Sequence, residues 1–518
     1  MSVVKIVTAA EMRRMEEECV KLGVSTAMLM EKAGQAVAQS VCRTLGMVAG
    51  KHIVILVGPG NNGGDGLVAA RYLCDWGARV SVFLAKARSE DERNFGLVRE
   101  RDVAVMGPPT SGLDDLLASA DAVLDALFGT GQNRGIEDVY KEALEKLAVA
   151  KRHRPALKVF AVDLPSGLNA DTGQPDPVTP FADHTLTLGL PKRGLYMPEG
   201  AARAGEIFIL DIGLAPHIAA DVNTELLTVG QMRALLPPRS SYAHKGSFGR
   251  VMVVAGSVNY IGAAYLACAG AARVGAGLVT LAAPESIISA VAAKMPEVVY
   301  IPLPESTPGV IRPEALGFIR SVAEFDAVLI GPGLGRAAEA FLDCLLDGKL
   351  PLRLVLDADA INALAKVSAW WQRSGFEAIL TPHPGEMARL LKMTIERVQS
   401  GRIAIAKEKA VVWGKTVVLK GAFTVVAASD GRCRVSPFAN AALASAGTGD
   451  VLAGAVVGLL GQGLTLFDAA SLGVYLHARA GERVRVQMGD TGMLASDLLL
   501  ELPQAIMELK DGEWSGSG

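Results

Sequence analysis

Short, nearly unbroken apolar runs recur along the first part of this chain: Ile53–Val57, Val80–Leu84, Ala122–Leu127, Val159–Val162, Thr185–Leu188 and Ile207–Leu210. Runs without polar alternation suit strands buried on both faces, and the intervals leave room for crossover helices. The pattern predicts a parallel α/β sheet. Two helices are expected ahead of it. Thr8-Ala-Ala-Glu11 is a capping-box pattern, with Met12, Met15 and Cys19 following at helical spacing. A second helix is expected from about Ser25, with Leu29, Ala33, Val37 and Val41 on one face.

The texture returns further on, with Val251–Ala255, Leu278–Ala282, Ala327–Ile330, Leu354–Leu356, Ile379–Thr381 and Val417–Leu419 as candidate strands. Phe423–Ala427 and Cys433–Val435 read as a hairpin about Ser429-Asp-Gly431. A less regular stretch near residue 225 is the expected boundary, giving domains 1–225 and 226–510 and a flexible tail at 511–518. No short-period repeat joins the halves, which excludes a solenoid. The uncharged run 451–467 falls short of the ~20 apolar residues that cross a bilayer, once its glycines and polar positions are discounted. It reads as a buried core helix.

Composition narrows the function classes. The chain has 518 residues, half of them hydrophobic, and a formal charge of −3. That length exceeds one core. Without a basic excess, nucleic acid is excluded as a partner. Six scattered cysteines with no C-x-x-C pair read as reduced thiols of a cytoplasmic protein. The histidines form no zinc-type cluster, and Glu11 and Glu16–Glu18 stand where a signal peptide needs apolar residues.

Two glycine-rich segments carry the candidate chemistry. The first, Val57–Gly66, closes the apolar run Ile53–Val57 and contains Asn61, Asn62, Gly63, Gly64 and Asp65. It matches neither the dinucleotide fingerprint nor the P-loop. A tight turn would explain the glycines, but not two asparagines and an aspartate beside them. Asp125-Ala-Leu-Phe-Gly-Thr-Gly131 and Asp163-Leu-Pro-Ser166 end later runs in the same manner. In a parallel sheet Asn62, Asp125, Asp163 and Ser166 would project from one carboxyl edge. These hard oxygens could hold a monovalent or divalent cation and leave one carboxylate for proton transfer. The three motifs in this order resemble the YjeF N-terminal family of NAD(P)H-hydrate epimerases, over roughly residues 8–215. The resemblance implies that Asn61–Asp65 and Gly129, Thr130, Gly131, Gln132, Asn133, Arg134 and Gly135 embrace the hydrate. It further implies that Asp163 meets the reacting ring and shuttles its proton, and that Asn62, Asp125 and Ser166 bind potassium.

The second segment, Gly447-Thr-Gly-Asp450, leads into an apolar helical stretch, so its N–H groups can cradle a phosphate. An aspartate there would repel phosphate; its sensible role is to take a proton from an attacking hydroxyl. The bland alternative is an N-capping aspartate. Upstream lie Gly331–Gly335, His383-Pro-Gly-Glu386 and Lys420-Gly-Ala-Phe-Thr424. Glu386 could order water around magnesium, whereas Asp357 and Asp359 read as caps or core-edge charges. Together with Tyr242–Gly249, Gly256-Ser and Gly262-Ala-Ala264, these motifs resemble the ribokinase-like superfamily, and within it the NAD(P)H-hydrate dehydratases, over about 228–507. His383-x-x-Glu386 stands where sugar kinases carry Asn-x-x-Glu. The resemblance implies substrate contacts at Ala263, Gly333, His383 and Asp450, with Asp450 as base. It implies nucleotide contacts at Lys420, Gly421, Ala422, Phe423, Thr424 and Gly449.

The fold expected is therefore α/β in two domains, a Rossmann-like parallel-sheet epimerase domain followed by a ribokinase-like one. The implied activity is epimerisation of R- and S-NAD(P)H hydrates and ADP-dependent dehydration of the S form. That calls for Mg²⁺, K⁺ and ADP, with the NADH and NADPH hydrates as substrates, no membrane partner, and a homo-oligomer. A small-alcohol kinase with an accessory binding domain remains the alternative.

Overall fold

The computed structural model describes residues 3–512 apart from 90, 133, 313–314, 316–323, 336–338, 340–341, 343–345, 347–352 and 374. Lys5–Asn223 forms one compact unit and a second begins at Thr224. The expected tail beyond residue 512 and Cys344 lie outside the described residues.

In the first unit seven strands make one wholly parallel sheet. They are β1 (His52–Val57), β2 (Arg79–Leu84), β3 (Val103–Met106), β4 (Ala122–Ala126), β5 (Lys158–Val162), β6 (His184–Leu188) and β7 (Glu206–Leu210). Their spatial order is β3-β2-β1-β4-β5-β6-β7. Every residue of β1 is buried because helices cover both faces. Ile53, Ile55 and Val57 pack with Met12 and Met15 of α1 (Ala9–Lys21) and Val37 of α2 (Thr26–Leu45). Val54 and Leu56 pack on the opposite face with Leu144 and Leu147 of α4 (Asp138–His153). The capping box on α1 forms as its sequence predicts, Thr8 and Glu11 each accepting from the other's backbone N–H.

The second unit is built on a mixed sheet. Among its strands are β8 (Thr224–Leu226), β9 (Arg250–Val254), β10 (Leu278–Pro284), β11 (Val299–Leu303), β12 (Ala327–Ile330), β13 (Arg353–Leu356), β14 (Glu377–Leu380), β15 (Thr416–Leu419), β16 (Val425–Ala427) and β17 (Cys433–Val435). They run in the order β8-β17-β16-β15-β14-β13-β12-β9-β10-β11. β9 to β15 are mutually parallel, and β15, β16 and β17 turn back on one another as the hairpin pattern requires. The apolar run 451–467 is not one helix. A buried helix, Thr448–Gly461, ends at Gln462, and the next begins at Leu466. No helix among the described residues is long and apolar enough to cross a membrane.

β3, β8 and β11 are absent from the expectation. β3 and β11 are edge strands with half-exposed residues, so neither shows the continuous apolar run of a central strand.

Candidate functional site

In the first unit the strand order reverses between β1 and β4, the point where open parallel sheets leave a crevice beyond their carboxyl ends. Gly58 follows β1. A Cβ there would sit 1.8 Å from the Leu127 carbonyl oxygen beyond β4, so only glycine lets the two exits meet. Arg88 ties the loop down, donating to the carbonyls of Gly58 (2.6 Å) and Gly60 (3.0 Å). Gly60 caps α3 (Asn61–Asp75), so Asn61–Gly66 forms the opening turns of a helix rather than a free loop.

A cavity of about 600 Å³ opens over this junction, lined by Asn61, Asn62, Asp65, Gly129, Thr130, Gly131, Gln132 and Asp163 among others. Gly63 and Gly64 are buried in α3 and off its wall; Arg134 and Gly135 are exposed loop residues and also off it; Asn133 lies outside the described residues. Asp163 follows β5 with a left-handed backbone, φ 67°. Its Oδ1 accepts from the Leu188 N–H (3.1 Å), the Thr187 hydroxyl (3.4 Å) and the Lys192 ammonium. Lys192 is only 1% exposed, although it lines the cavity. Two more acids face the pair. Burial, then the Asp163 charge, lifts the Asp65 carboxyl well above its ordinary range. Burial also lifts Glu16, with Lys192 opposing.

Asp125, at the end of β4, is fully buried and, among the described residues, accepts from neutral donors only. These are the Ser166 N–H (2.8 Å), the Ser166 hydroxyl (2.6 Å) and the Leu127 N–H (3.3 Å). Burial pushes its carboxyl up to about 6 against those hydrogen bonds. The buried Asn62 amide nitrogen has no hydrogen-bond partner among the described residues. A desolvated carboxylate hydrogen-bonded to a hydroxyl, with no counter-charge among the described residues, is an oxygen donor pair that suits a hard cation.

The second unit places its candidates around the start of α8, the Thr448–Gly461 helix. Its N-cap is Gly447 (φ 88°), so Asp450 is the third helical residue and caps nothing. Helix α5 (Ile261–Arg273) packs against it backbone to backbone: a Cβ on Gly454 would lie 2.0 Å from the Ala267 carbonyl oxygen. A Cβ on Gly333 would meet Ala263 at 3.0 Å, which puts those two expected contacts side by side. His383 caps α6 (Pro384–Leu391), its Nδ1 accepting from the Gly385 N–H at 3.0 Å. Glu386 accepts from the His383 N–H at 2.7 Å.

Asp357 belongs to this constellation, contrary to its expected role as a core-edge charge. It is 1% exposed and its Oδ1 accepts from Lys420 (2.7 Å) and the Thr381 hydroxyl (2.6 Å). Glu386 lies 3.9 Å from the same ammonium. Burial opposes the Lys420 charge, yet Asp357 and Glu386 hold its pKa above the ordinary value. Burial pushes Asp450 up to about 7; Asp357 adds to the shift and Lys420 opposes it. Glu386 is pushed up to about 7 by burial, with Lys420 opposing and Asp357 adding. Asp359 instead tethers the glycine loop, accepting from the Gly335 N–H at 2.8 Å.

Lys420, Gly421, Ala422, Thr424 and Gly449 line a cavity of about 180 Å³, while Phe423 is buried away from it. The same cavity holds Ser436, Phe438, Asn440 and His477, none of which the sequence singled out. His477 Nε2 lies 2.9 Å from the Thr448 carbonyl oxygen, and burial pushes the ring down to about 4, so it is neutral there and donates from Nε2. Arg402 of α7 (Arg402–Trp413) donates from beneath to the carbonyls of Leu419 and Lys420, both at 3.1 Å. These residues come from separate elements, so no local motif announces them.

Comparison with known proteins finds two families matched in order along the chain. Residues 26–194 match the family model described as YjeF-related protein N-terminus, and residues 251–504 match that of NAD(P)H-hydrate dehydratase. The chain is 41% identical to the bifunctional NAD(P)H-hydrate repair enzyme Nnr of Moorella thermoacetica, over 98% of this chain and 97% of that protein. It is 33% identical to the Escherichia coli protein of the same name, over 96% of this chain and 93% of that one. Among solved structures, the ADP/ATP-dependent NAD(P)H-hydrate dehydratase of Bacillus subtilis, co-crystallised with ATP/Mg²⁺, is 32% identical with a TM-score of 0.47. The alignment covers 55% of this chain and 98% of that one. With near-complete alignment to such relatives and both family models matched in order, the chain belongs to the bifunctional NAD(P)H-hydrate repair enzymes, an epimerase-type unit followed by a dehydratase unit.

Proposed function

We propose that the two sites act in succession on one damaged cofactor: the first interconverts the R and S hydrates of NADH or NADPH, and the second dehydrates the S form. The observation that carries this reading is the pairing of two glycine-walled sites, each with its own carboxylate, buried Asp163 in one and half-buried Asp450 in the other. The hydrate carries a hydroxyl on C6 next to the ring nitrogen. Inverting that carbon requires a bond from C6 to break and re-form. In the ring-opening route Asp163 Oδ2 takes the hydroxyl proton, C6–O becomes a carbonyl, and the C6–N1 electron pair returns to nitrogen with that proton. Rotation and the reverse steps close the ring on the other face. Asn61, Asn62, Asp65 and Gly129–Gln132 would hold the hydrate. Asn62, Asp125 and Ser166 would hold a potassium ion that orders the strand ends.

In the second site Asp450 would take the C6 hydroxyl proton while the oxygen attacks the terminal phosphorus of the nucleotide, and the shorter nucleotide leaves. Phosphate then departs with the C6–O electrons, the ring nitrogen's pair covers C6, and loss of a C5 proton sets the double bond. The α8 N-terminus, Gly449 and Lys420–Thr424 would hold the nucleotide, and Ala263, Gly333 and His383 the hydrate. Asp357 and Glu386 are the buried carboxylates able to hold magnesium directly or through water, which would offset phosphate charge. ADP is the expected phosphoryl donor. A cytoplasmic, homo-oligomeric enzyme fits this reading.

The test mixes both NADH-hydrate epimers with enzyme, magnesium, potassium and either ADP or ATP, and follows recovery of reduced-ring absorbance. Full recovery of both epimers is expected with ADP. A stable phosphorylated hydrate without NADH would instead identify a small-alcohol kinase.

A further inference from the structure

We propose that Lys192 is a positioning residue of the epimerisation site, gripping one oxygen of the Asp163 carboxylate so that the other is presented to the hydrate. This rests on the reading of Asp163 as the group that transfers the proton.

The geometry divides the two carboxylate oxygens. Oδ1 accepts from Lys192, the Leu188 N–H and the Thr187 hydroxyl, which fills its lone pairs. Oδ2 accepts no hydrogen bond among the described residues. It lies 3.4 Å from where a Gly129 Cβ would be, as does the Asn62 amide oxygen, on the cavity side. One oxygen is therefore anchored and the other is free to take and return a proton.

Lys192 is itself held rigidly. A second N–H of its ammonium goes to the Leu188 carbonyl at 2.9 Å. Its backbone is bridged to buried Val7, through Val7 N–H to Pro191 O at 3.0 Å and Arg193 N–H to Val7 O at 2.9 Å. The ammonium thus has a fixed origin from which to fix the carboxylate. A buried ammonium is costly unless paired, and an apolar residue of similar volume would fill the same space without that cost. What only the cation supplies is orientation and charge for Asp163, with Asp65 and Glu16 crowding the same spot. The left-handed backbone of Asp163 fits this picture, since it turns the side chain back toward β6 and Lys192.

The experiment uses the full-length protein with R-hydrate and follows R-to-S conversion chromatographically for Lys192→Met, Asp163→Asn and the double variant. Lys192→Gln is measured alongside, because a polar side chain of similar reach keeps the unit folded if methionine does not. For Lys192→Met the expected result is a kcat loss of roughly 100-fold, with KM within about twofold. The double variant is expected to be no slower than Asp163→Asn alone, because Lys192 acts through that carboxylate. Losses that multiply in the double variant, or a risen KM with unchanged kcat, overturn the inference. An inactive Asp163→Asn beside active Lys192→Met and Lys192→Gln also overturns it and leaves the Asp163 reading intact. Full activity in Asp163→Asn overturns that reading, and this inference with it.

Discussion

Lys420 Nζ lies 2.7 Å from Asp357 Oδ1, and these opposite charges act in opposite senses on Asp450, raised to about 7. If Asp450 must be ionised to accept the hydroxyl proton, dehydration rises with pH through about 7. Asp357→Asn removes a negative neighbour, makes ionisation easier, and moves that limb to lower pH. Lys420→Met removes the cation and moves it to higher pH, while weakening nucleotide turnover by roughly 100-fold. The pH dependence of kcat/KM for S-hydrate at saturating ADP checks both directions, and limbs that move together would count against Asp450 as the base.

The two carboxylates should fail independently. Asp450→Asn is expected to lower dehydration of S-hydrate by roughly 10²–10⁴-fold, with R-to-S interconversion intact. Asp163→Asn should do the reverse, so the variant repairs S-hydrate and leaves the R form behind. Chromatographic assay of each epimer separates the activities.

Asp125 couples pH to the stability of the first unit. Its carboxyl sits at about 6 in the folded chain against an ordinary 3.8, so between these values the native state binds more protons than the unfolded one. Stability must therefore fall as pH rises through that window, by a few kcal/mol at most (on the order of 3), and the loss persists above it. A potassium ion that pairs with the ionised form offsets the loss only above about 6. Thermal unfolding should show stabilisation by potassium over tetramethylammonium at pH 8 and almost none at pH 5. Asn62→Ala should abolish the difference.

Gly58→Ala should cost stability rather than chemistry. Its new Cβ would start 1.8 Å from the Leu127 carbonyl oxygen, so the ends of β1 and β4 must part. A loss of about 1–3 kcal/mol is expected, read as a lower first-unit melting temperature. An unchanged melting temperature would mean the loops yield freely.

What the sequence reveals here is what is local or uniformly buried. Thr8 and Glu11 are three residues apart, so their capping box can be read directly. β1 and β5 stand out because both faces of each are covered. β3 and β11 do not, since an edge strand shows half its surface to water. The same distinction holds in the sites. Gly447–Asp450 is contiguous, so the helix entry there is legible as a candidate anion site. Lys192 is 29 residues from Asp163, and Asp357 is 63 from Lys420, so only the folded sheet brings each pair together. Asp357 looked ordinary because its neighbours in sequence are not its neighbours in space.

Gly454 stands one turn beyond Asp450, and its bare backbone rests on the Ala267 carbonyl. The proposed base thus rides on a helix with no side-chain cushion behind it. Any bulk added at 454 would push the whole rod outward, carrying Asp450 and the Gly449 turn with it. A position with no functional group of its own would then govern both sides of the proposed reaction, so graded enlargement there is expected to lower turnover and nucleotide affinity in step.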